Sequence, residues 1–415
     1  MGNRISRYSF GGSMTQIPFA NTVFLTGATG VLGGRLLRDL LRSTSAHVYC
    51  LVRGDDQRAC TERLCAMLDL YDSGGLAKRS FDTRVTVLCG DVTLDRFGLP
   101  PEVYHDLQQT TQITVHAAAN TSLLVKYSRL EPINVRGTGR IIEFCLGTPS
   151  RSLAYVSTYT VMGDKTFDRT VRFREQDYDL GQGFEHLNYQ RSKFVAEGLV
   201  RAATDRGLRW RIFRPGQIYG DSTSGAYPQA HAQVSGLFYD LFKTAMDTGV
   251  MPDSHIHFDV VPVDYVSRGI VALAAVEDHV YGVFHLINPD VKSFAEVMAL
   301  LRRRGYAIEL LPEKIYQQRL RAGQITKNGE PYASTTLTAF WRWYFVARVS
   351  FNDSATTDCE FTRSLLEKLG VTCAPIDDRL IATYVDAGIR DGYFPPPGAP
   401  ASAARADLNC EAPLA

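Results

Sequence analysis

The chain has 415 residues, of which 45% are hydrophobic and 21% charged. That exceeds the ~100–200 residues of a usual domain and implies one large two-lobed unit or two domains, not a long disordered chain. With 45 basic and 44 acidic residues the formal net charge is +1, which excludes nucleic-acid binding by bulk phosphate neutralisation. No run reaches ~18 uninterrupted apolar residues, so no membrane-spanning helix is expected.

Met1 to Asn21 reads as a flexible leader, with Gly11-Gly12-Ser13-Met14 as a linker or an engineered junction. It lacks the apolar core of a secretory signal. The eight cysteines include no Cys-x-x-Cys pair, and several sit inside apolar runs such as Val48-Tyr49-Cys50-Leu51-Val52. Neither a zinc site nor a disulfide framework fits that spacing, so buried thiols in a reducing, cytoplasmic setting are expected.

Thr22 to Leu25 is a β-branched and apolar run suited to a buried parallel strand. Thr26-Gly27-Ala28-Thr29-Gly30-Val31-Leu32-Gly33 follows at once, and Leu36, Leu37, Leu40 and Leu41 then recur at helical spacing. Strand, glycine turn and helix in this order suit a dinucleotide. Gly27 permits a tight turn, Gly30 lets backbone approach a pyrophosphate, and Gly33 lets helix and strand pack closely. The helix start offers free N–H groups to phosphate.

A second strand, Val48 to Val52, ends at Arg53, 20 positions after Gly33. An acid at that point suits the ribose hydroxyls of NAD, whereas a guanidinium suits the 2′-phosphate of NADP, so NADPH is expected. Asp55 and Asp56 carry the rival reading, and Arg63 is either a second phosphate or adenine contact or an exposed helix cation. A third strand, Arg84 to Leu88, leads into Cys89-Gly90-Asp91-Val92, where an acid at the strand end suits the adenine amino group. A fourth, Gln112 to Val115, runs into His116-Ala117-Ala118-Ala119. Small residues there let backbone lie against a cofactor, and His116 is read as structural.

Leu153 to Thr158 reads as a fifth strand ending in hydroxyls, and Tyr189 opens a helical stretch through Val200. Tyr189 and Lys193, four apart, share a helix face. Lys193 is expected to stabilise a tyrosinate and lower the Tyr189 pKa, making the phenol a usable general acid, with Thr158 bonding the same substrate oxygen.

The glycine turn, the hydroxyl-bearing strand end, Tyr189 and Lys193 resemble the extended short-chain dehydrogenase/reductase superfamily. Further motifs narrow this: the helical insert Ala59 to Tyr71, Cys89-Gly90-Asp91-Val92 with Phe97-Gly98-Leu99, and Tyr127 to Leu130 with Asn134-Val135-Arg136-Gly137-Thr138. Val261-Pro262-Val263-Asp264-Tyr265-Val266 and the ending Tyr393-Phe394-Pro395-Pro396-Pro397 belong to the same set. Together, over roughly residues 21–398, they resemble the terminal thioester reductase domains of nonribosomal peptide and polyketide synthases, relatives of carboxylic acid and fatty acyl-CoA reductases.

The resemblance implies an NADPH-dependent reductase that releases an acyl chain, held on a phosphopantetheinylated carrier protein or on CoA, as an aldehyde or an alcohol. It places Gly27, Thr29, Gly30, Val31, Leu32 and Gly33 at the pyrophosphate and Arg53 and Arg63 at the 2′-phosphate and adenine end. It places Asp91 and Val92 at the adenine, Ala117, Ala118 and Ala119 along the cofactor, and Pro215 and Gly216 near the nicotinamide. Thr158, Tyr189 and Lys193 become the catalytic trio, the last two also touching the cofactor. The family commonly has His-Asn-Gly-Ala where this chain has His116-Ala117-Ala118-Ala119, and Thr121 to Lys126 also departs from it, a difference that bears on acyl preference.

The expected fold is α/β: a doubly wound parallel Rossmann sheet with a smaller, mostly helical C-terminal lobe. The expected divisions are a leader at 1–21, an NADPH-binding domain at 22–216 plus 259–290, a substrate lobe at 217–258 plus 291–398, and a tail at 399–415. Val260 to Val263 and Val283 to Ile287 are expected to return to the sheet. Phe340 to Val346 reads as lobe packing or an acyl-channel wall, and Arg302-Arg303-Arg304 as a solvated helix face or a carrier-docking site. No metal site is read, and His255-x-His257 is taken as structural. Three alternatives stay open: another superfamily carbonyl reductase or nucleotide-sugar epimerase or dehydratase, a redox-silent cyclase, or a non-enzymatic NADPH-binding regulator.

Overall fold

The computed structural model describes residues 19–72, 74–167, 171–228, 236–254, 257–276, 281–332, 341 and 357–398. Residues 1–18 of the leader, the tail, His255 and all of the Phe340 to Val346 run except Trp341 lie outside them.

Seven strands form one parallel sheet: β1 (Thr22–Thr26), β2 (His47–Val52), β3 (Val85–Cys89), β4 (Ile113–His116), β5 (Ser152–Val156), β6 (Arg209–Pro215) and β7 (Gly282–Leu286). Their spatial order is β7-β6-β5-β4-β1-β2-β3. The chain builds outward from β1 on one side, then crosses to β4 and builds outward on the other. The order therefore reverses between β1 and β4, and the carboxyl ends of those strands open the crevice where a ligand binds in such sheets.

Helices cover both faces. On one face lie α1 (Val31–Ser43), α2 (Gln57–Tyr71) and, further along the chain, Val263–Ala275. Leu36, Leu37, Leu40 and Leu41 of α1 are buried there with Val23 and Leu25 of β1. On the other face α3 (Pro101–Thr110), α4 (Tyr127–Glu131), α5 (Thr138–Leu146) and α6 (Asn188–Ala202) enclose a core that holds Phe24, Phe97 and Phe144. α4 and α5 are joined by a π-helical turn at Pro132–Gly137.

Val260 to Val263 does not return to the main sheet. Val261–Pro262 pairs with Ile218–Tyr219 in a separate two-stranded ladder, and Val263 begins the helix Val263–Ala275. Pro262 has no N–H to give a central ladder, which confines such a segment to a short edge pairing.

A second core gathers Tyr219, Tyr239, Phe242, Phe258, Phe294 and Tyr384. It lies among α7 (Leu237–Thr248), α9 (Phe294–Arg303), α10 (Glu313–Arg321) and α12 (Asp378–Arg390), with α11 (Glu360–Lys368) preceding α12 in the chain; α8 (Val263–Ala275) joins the core under the sheet. Trp341 is fully buried in it, 5.8 Å from the Tyr316 ring centre, so that residue packs the lobe. Leu365, Leu366, Leu369 and Val371 join the core under the sheet instead, so the last segment touches both cores. Arg302, Arg303 and Arg304 are engaged within the lobe. Arg302 donates to the Ile308 carbonyl at 2.7 Å, Arg303 meets Asp378 at 2.8 Å, and Arg304 pairs with Asp386. Among the described residues no helix is long and apolar enough to cross a membrane.

Candidate active site

The glycine turn stands at the switch point. Gly27 has φ +79°, a left-handed conformation that favours glycine, and a Cβ on it would lie 2.6 Å from the Ala118 nitrogen. A Cβ on Gly33 would fall 1.9 Å from the Gly27 carbonyl oxygen. These contacts explain both glycines and also the alanines: Ala117 and Ala118 run directly against the turn. Gly30 begins α1 with no side-chain cap, and no acid stands in the first turn. Backbone N–H groups at the helix start are thus left for an anionic ligand, as a dinucleotide's pyrophosphate requires. Thr29, Val31 and Leu32 line this turn in the chain, and half-buried Val31 packs against both cores.

Arg53 is exposed at the end of β2, and the Arg63 guanidinium of α2 donates to the Arg53 carbonyl at 2.8 Å. The two expected cations therefore stand together. Asp56 is the N-cap of α2 and accepts from the Ala59 N–H at 2.6 Å. Asp91 follows β3 and accepts from the Thr93 N–H at 2.7 Å, while buried Val92 packs towards Gly137.

His116 is structural, as expected. Its Nε2 donates to Thr138 at 3.2 Å, its Nδ1 accepts from Thr26 at 2.7 Å, and burial brings its pKa down to about 3, so the ring is neutral.

Thr158, 7% exposed, follows β5, and its hydroxyl lies 3.0 Å from that of Thr160. Tyr189 and Lys193 lie in the first half of α6, Tyr189 half-buried and Lys193 2% exposed. The Lys193 ammonium donates to the Val156 carbonyl at 2.7 Å and sits 4.4 Å from the Tyr155 ring centre. The structure corrects one expectation about this pair. Burial pushes the Tyr189 phenol above its usual range, contrary to the lowering by Lys193 that their spacing suggests. Burial also brings Lys193 down to about 7, against the pull of Glu197. Desolvation outweighs the pairing because the lysine's hydrogen bond goes to a backbone carbonyl on β5.

Several residues at this site escape sequence reasoning. Glu197, fully buried one turn beyond Lys193, accepts from Ser157 at 2.7 Å and from Arg214 at 2.6 Å. Burial alone would raise its carboxyl, but Arg214, Arg201 and Ser157 hold it below the usual range. Arg214 also donates to His285 Nε2 at 3.1 Å, and His285 Nδ1 donates to the Asp358 carbonyl at 2.6 Å. The four-residue spacing Tyr189, Lys193, Glu197 is a legible signal for one helix face. Asn134, in the π-helical turn, donates to the Asn120 carbonyl at 3.0 Å and to Ser192 at 2.9 Å. It thereby ties the loop after β4 to the helix that carries Tyr189; π-turns recur at functional sites.

Pro215 ends β6, and Gly216 follows with its N–H on the Leu286 carbonyl at 3.0 Å. A Cβ on Gly216 would strike the Asp259 carboxylate at 1.9 Å. Asp259 is fully buried, accepts from the Gln217 N–H at 3.1 Å, and is pushed up to about 7 by burial.

A parallel sheet whose reversal point carries this turn, with a tyrosine and a buried lysine on the helix beside it, defines an NAD(P)-binding oxidoreductase of the extended short-chain dehydrogenase/reductase fold. Residues 25–270 match the NAD-binding family described as male sterility protein, and the chain belongs to that family. It is 30% identical over 370 residues to a linear gramicidin synthase polypeptide of Brevibacillus parabrevis, covering 89% of this chain and 7% of that protein. It is 36% identical over 304 residues to glycine betaine reductase ATRR of Emericella nidulans, covering 70% of this chain and 23% of that protein. The chain thus spans less than a quarter of the length of these relatives. Its fold superposes on the terminal R domain from the myxalamid PKS-NRPS biosynthetic pathway with a TM-score of 0.79 at 28% identity, covering 96% of this chain and 97% of that one.

Proposed function

We propose that this chain is an NADPH-dependent reductase that cleaves an acyl thioester of phosphopantetheine to an aldehyde and a free thiol. The observation that carries the reading is the placement of Tyr189 and buried Lys193 on one face of α6, beside the β5 end that holds Thr158. The likeness to an R domain and to a reductase supports the reaction class. Exposed Arg53 at the end of β2, with the Arg63 side chain against its backbone, supports NADPH over NADH, because a guanidinium suits a 2′-phosphate.

The glycine turn and the start of α1 would hold the pyrophosphate, Asp91 and Val92 the adenine, and Ala117 to Ala119, Pro215 and Gly216 the remaining length. The bound dinucleotide supplies a hydride to the thioester carbonyl carbon. Tyr189, raised by burial, stays protonated at neutral pH and is a proton reservoir for the carbonyl oxygen. Thr158 donates a second hydrogen bond to that oxygen as charge develops. Lys193, on the same helix face, carries its positive charge below about pH 7. Collapse of the reduced adduct breaks the carbon–sulfur bond and leaves the aldehyde and the thiol.

The test is NADPH oxidation with acyl-pantetheine thioesters, with products read by mass. Equal amounts of aldehyde, free thiol and consumed NADPH are expected. Tyr189→Phe should keep NADPH binding and lose about 10²–10⁴-fold in turnover. A cyclised product without NADPH loss, or reduction of free aldehydes and ketones only, would overturn the reading.

A further inference from the structure

In the arginine run Arg302-Arg303-Arg304, Arg303 and Arg304 are paired with Asp378 and Asp386, and Arg302 is held by the Ile308 carbonyl. A different set of cations is left unneutralised. Lys126, Arg129 and Arg191 are exposed, and among the described residues none of them meets a carboxylate. They belong to two adjoining elements, α4 with its N-cap and the first turn of α6. The Arg191 guanidinium, from the first turn of α6, lies 4.7 Å from the centre of the Tyr127 ring on α4. Asn188 donates to the Val125 carbonyl at 3.1 Å and pins the preceding loop to the same helix. The acid of α4, Glu131, is taken by Arg136 at 3.0 Å. Leu124 adds an apolar centre, 39% exposed.

The position of this face matters as much as its charge. Its loop starts at Ala117 to Ala119 beside the glycine turn. Leu123 in that loop packs against the second core, so the loop runs along the junction of the two lobes. The face ends at Arg191, two residues beyond Tyr189. A thioester on a phosphopantetheine arm must reach Tyr189 while the phosphodiester that joins the arm to its carrier stays outside the site.

Resting on the thioester reading above, we propose that α4, its preceding loop and the first turn of α6 dock an acidic carrier protein. Leu124 and Tyr127 form the apolar centre, and Lys126, Arg129 and Arg191 form a cationic rim. Rim charges act on encounter and are screened by salt. The departure of Thr121 to Lys126 from the family pattern would then concern which carrier is accepted.

The double variant Lys126→Glu/Arg129→Glu tests this on octanoyl-phosphopantetheinyl carrier domain, octanoyl-pantetheine and octanoyl-CoA. At 50 mM salt the variant should raise KM for the carrier substrate at least ten-fold with kcat unchanged, and leave octanoyl-pantetheine kinetics as in wild type. Wild-type KM for the carrier should rise with added salt. An unchanged carrier KM overturns the proposal. So does an equal loss on octanoyl-pantetheine, which would assign these residues to the site's architecture, or an equal loss on octanoyl-CoA, which would mean the face reads phosphate alone. If wild type reduces none of the three, the thioester reading itself fails.

Discussion

Replacing Lys193 by Met should change how stability depends on pH, independently of any substrate. Lys193 is 2% exposed, and burial brings its pKa from 10.5 to about 7. Below pH 7 the ammonium is protonated in both the folded and the unfolded chain, and its contribution is flat. Above pH 7 the folded chain gives up a proton that the unfolded chain keeps until about 10.5. The unfolded state then binds more protons, so stability rises with pH at about 1.4 kcal/mol per unit. Between pH 7 and 9 the wild type should therefore gain about 2–3 kcal/mol relative to Lys193→Met. Loss of the 2.7 Å hydrogen bond to Val156 adds an offset that does not vary with pH in this window. Asp259 and the cysteines titrate equally in both proteins and cancel in the difference. Urea unfolding of both proteins at pH 6, 7, 8 and 9 reads the effect. A difference that stays flat from pH 6 to 9 refutes the argument that burial sets the lysine's charge. In Glu197→Gln the rise should begin at lower pH, because the carboxylate that supports the ammonium is gone.

Glu197→Gln should also lose about 3 kcal/mol of stability, since Arg214 would be left buried and part-paired; urea midpoints check this. Gly33→Ala should weaken NADPH binding at least ten-fold by fluorescence titration, because the new Cβ meets the Gly27 carbonyl at 1.9 Å and the turn must open, at about 2 kcal/mol. Arg53→Ala should raise the Kd for NADPH by about 10- to 100-fold and leave NADH nearly unchanged, the worth of one charge-assisted hydrogen bond; calorimetry with both nucleotides decides it.

The legible parts of the site are those built from neighbours in the chain. The turn Gly27 to Gly33 is one strand end and one helix start, so glycine spacing alone outlines it. Tyr189 and Lys193 declare a common helix face through their separation of four. The unread parts join residues far apart. Nothing near Glu197 in sequence announces Arg214, nor does anything near Gly216 announce the Asp259 carboxylate against it. The pKa of Tyr189 departs from expectation for the same reason: periodicity places two side chains on one face but does not tell how deeply that face is buried.

Chain-local chemistry, then, determined the alternation of strands and helices, the glycine turn, the cationic end of β2 and the Tyr189–Lys193 face, because each depends on steric and periodic rules acting over a few residues. Tertiary structure alone decided which charges are spent and which remain. Arg303 and Arg304 are paired with Asp378 and Asp386, while Lys126, Arg129 and Arg191 meet no carboxylate among the described residues. Pairing and burial depend on what the fold brings close, and the energy of a charge depends on both.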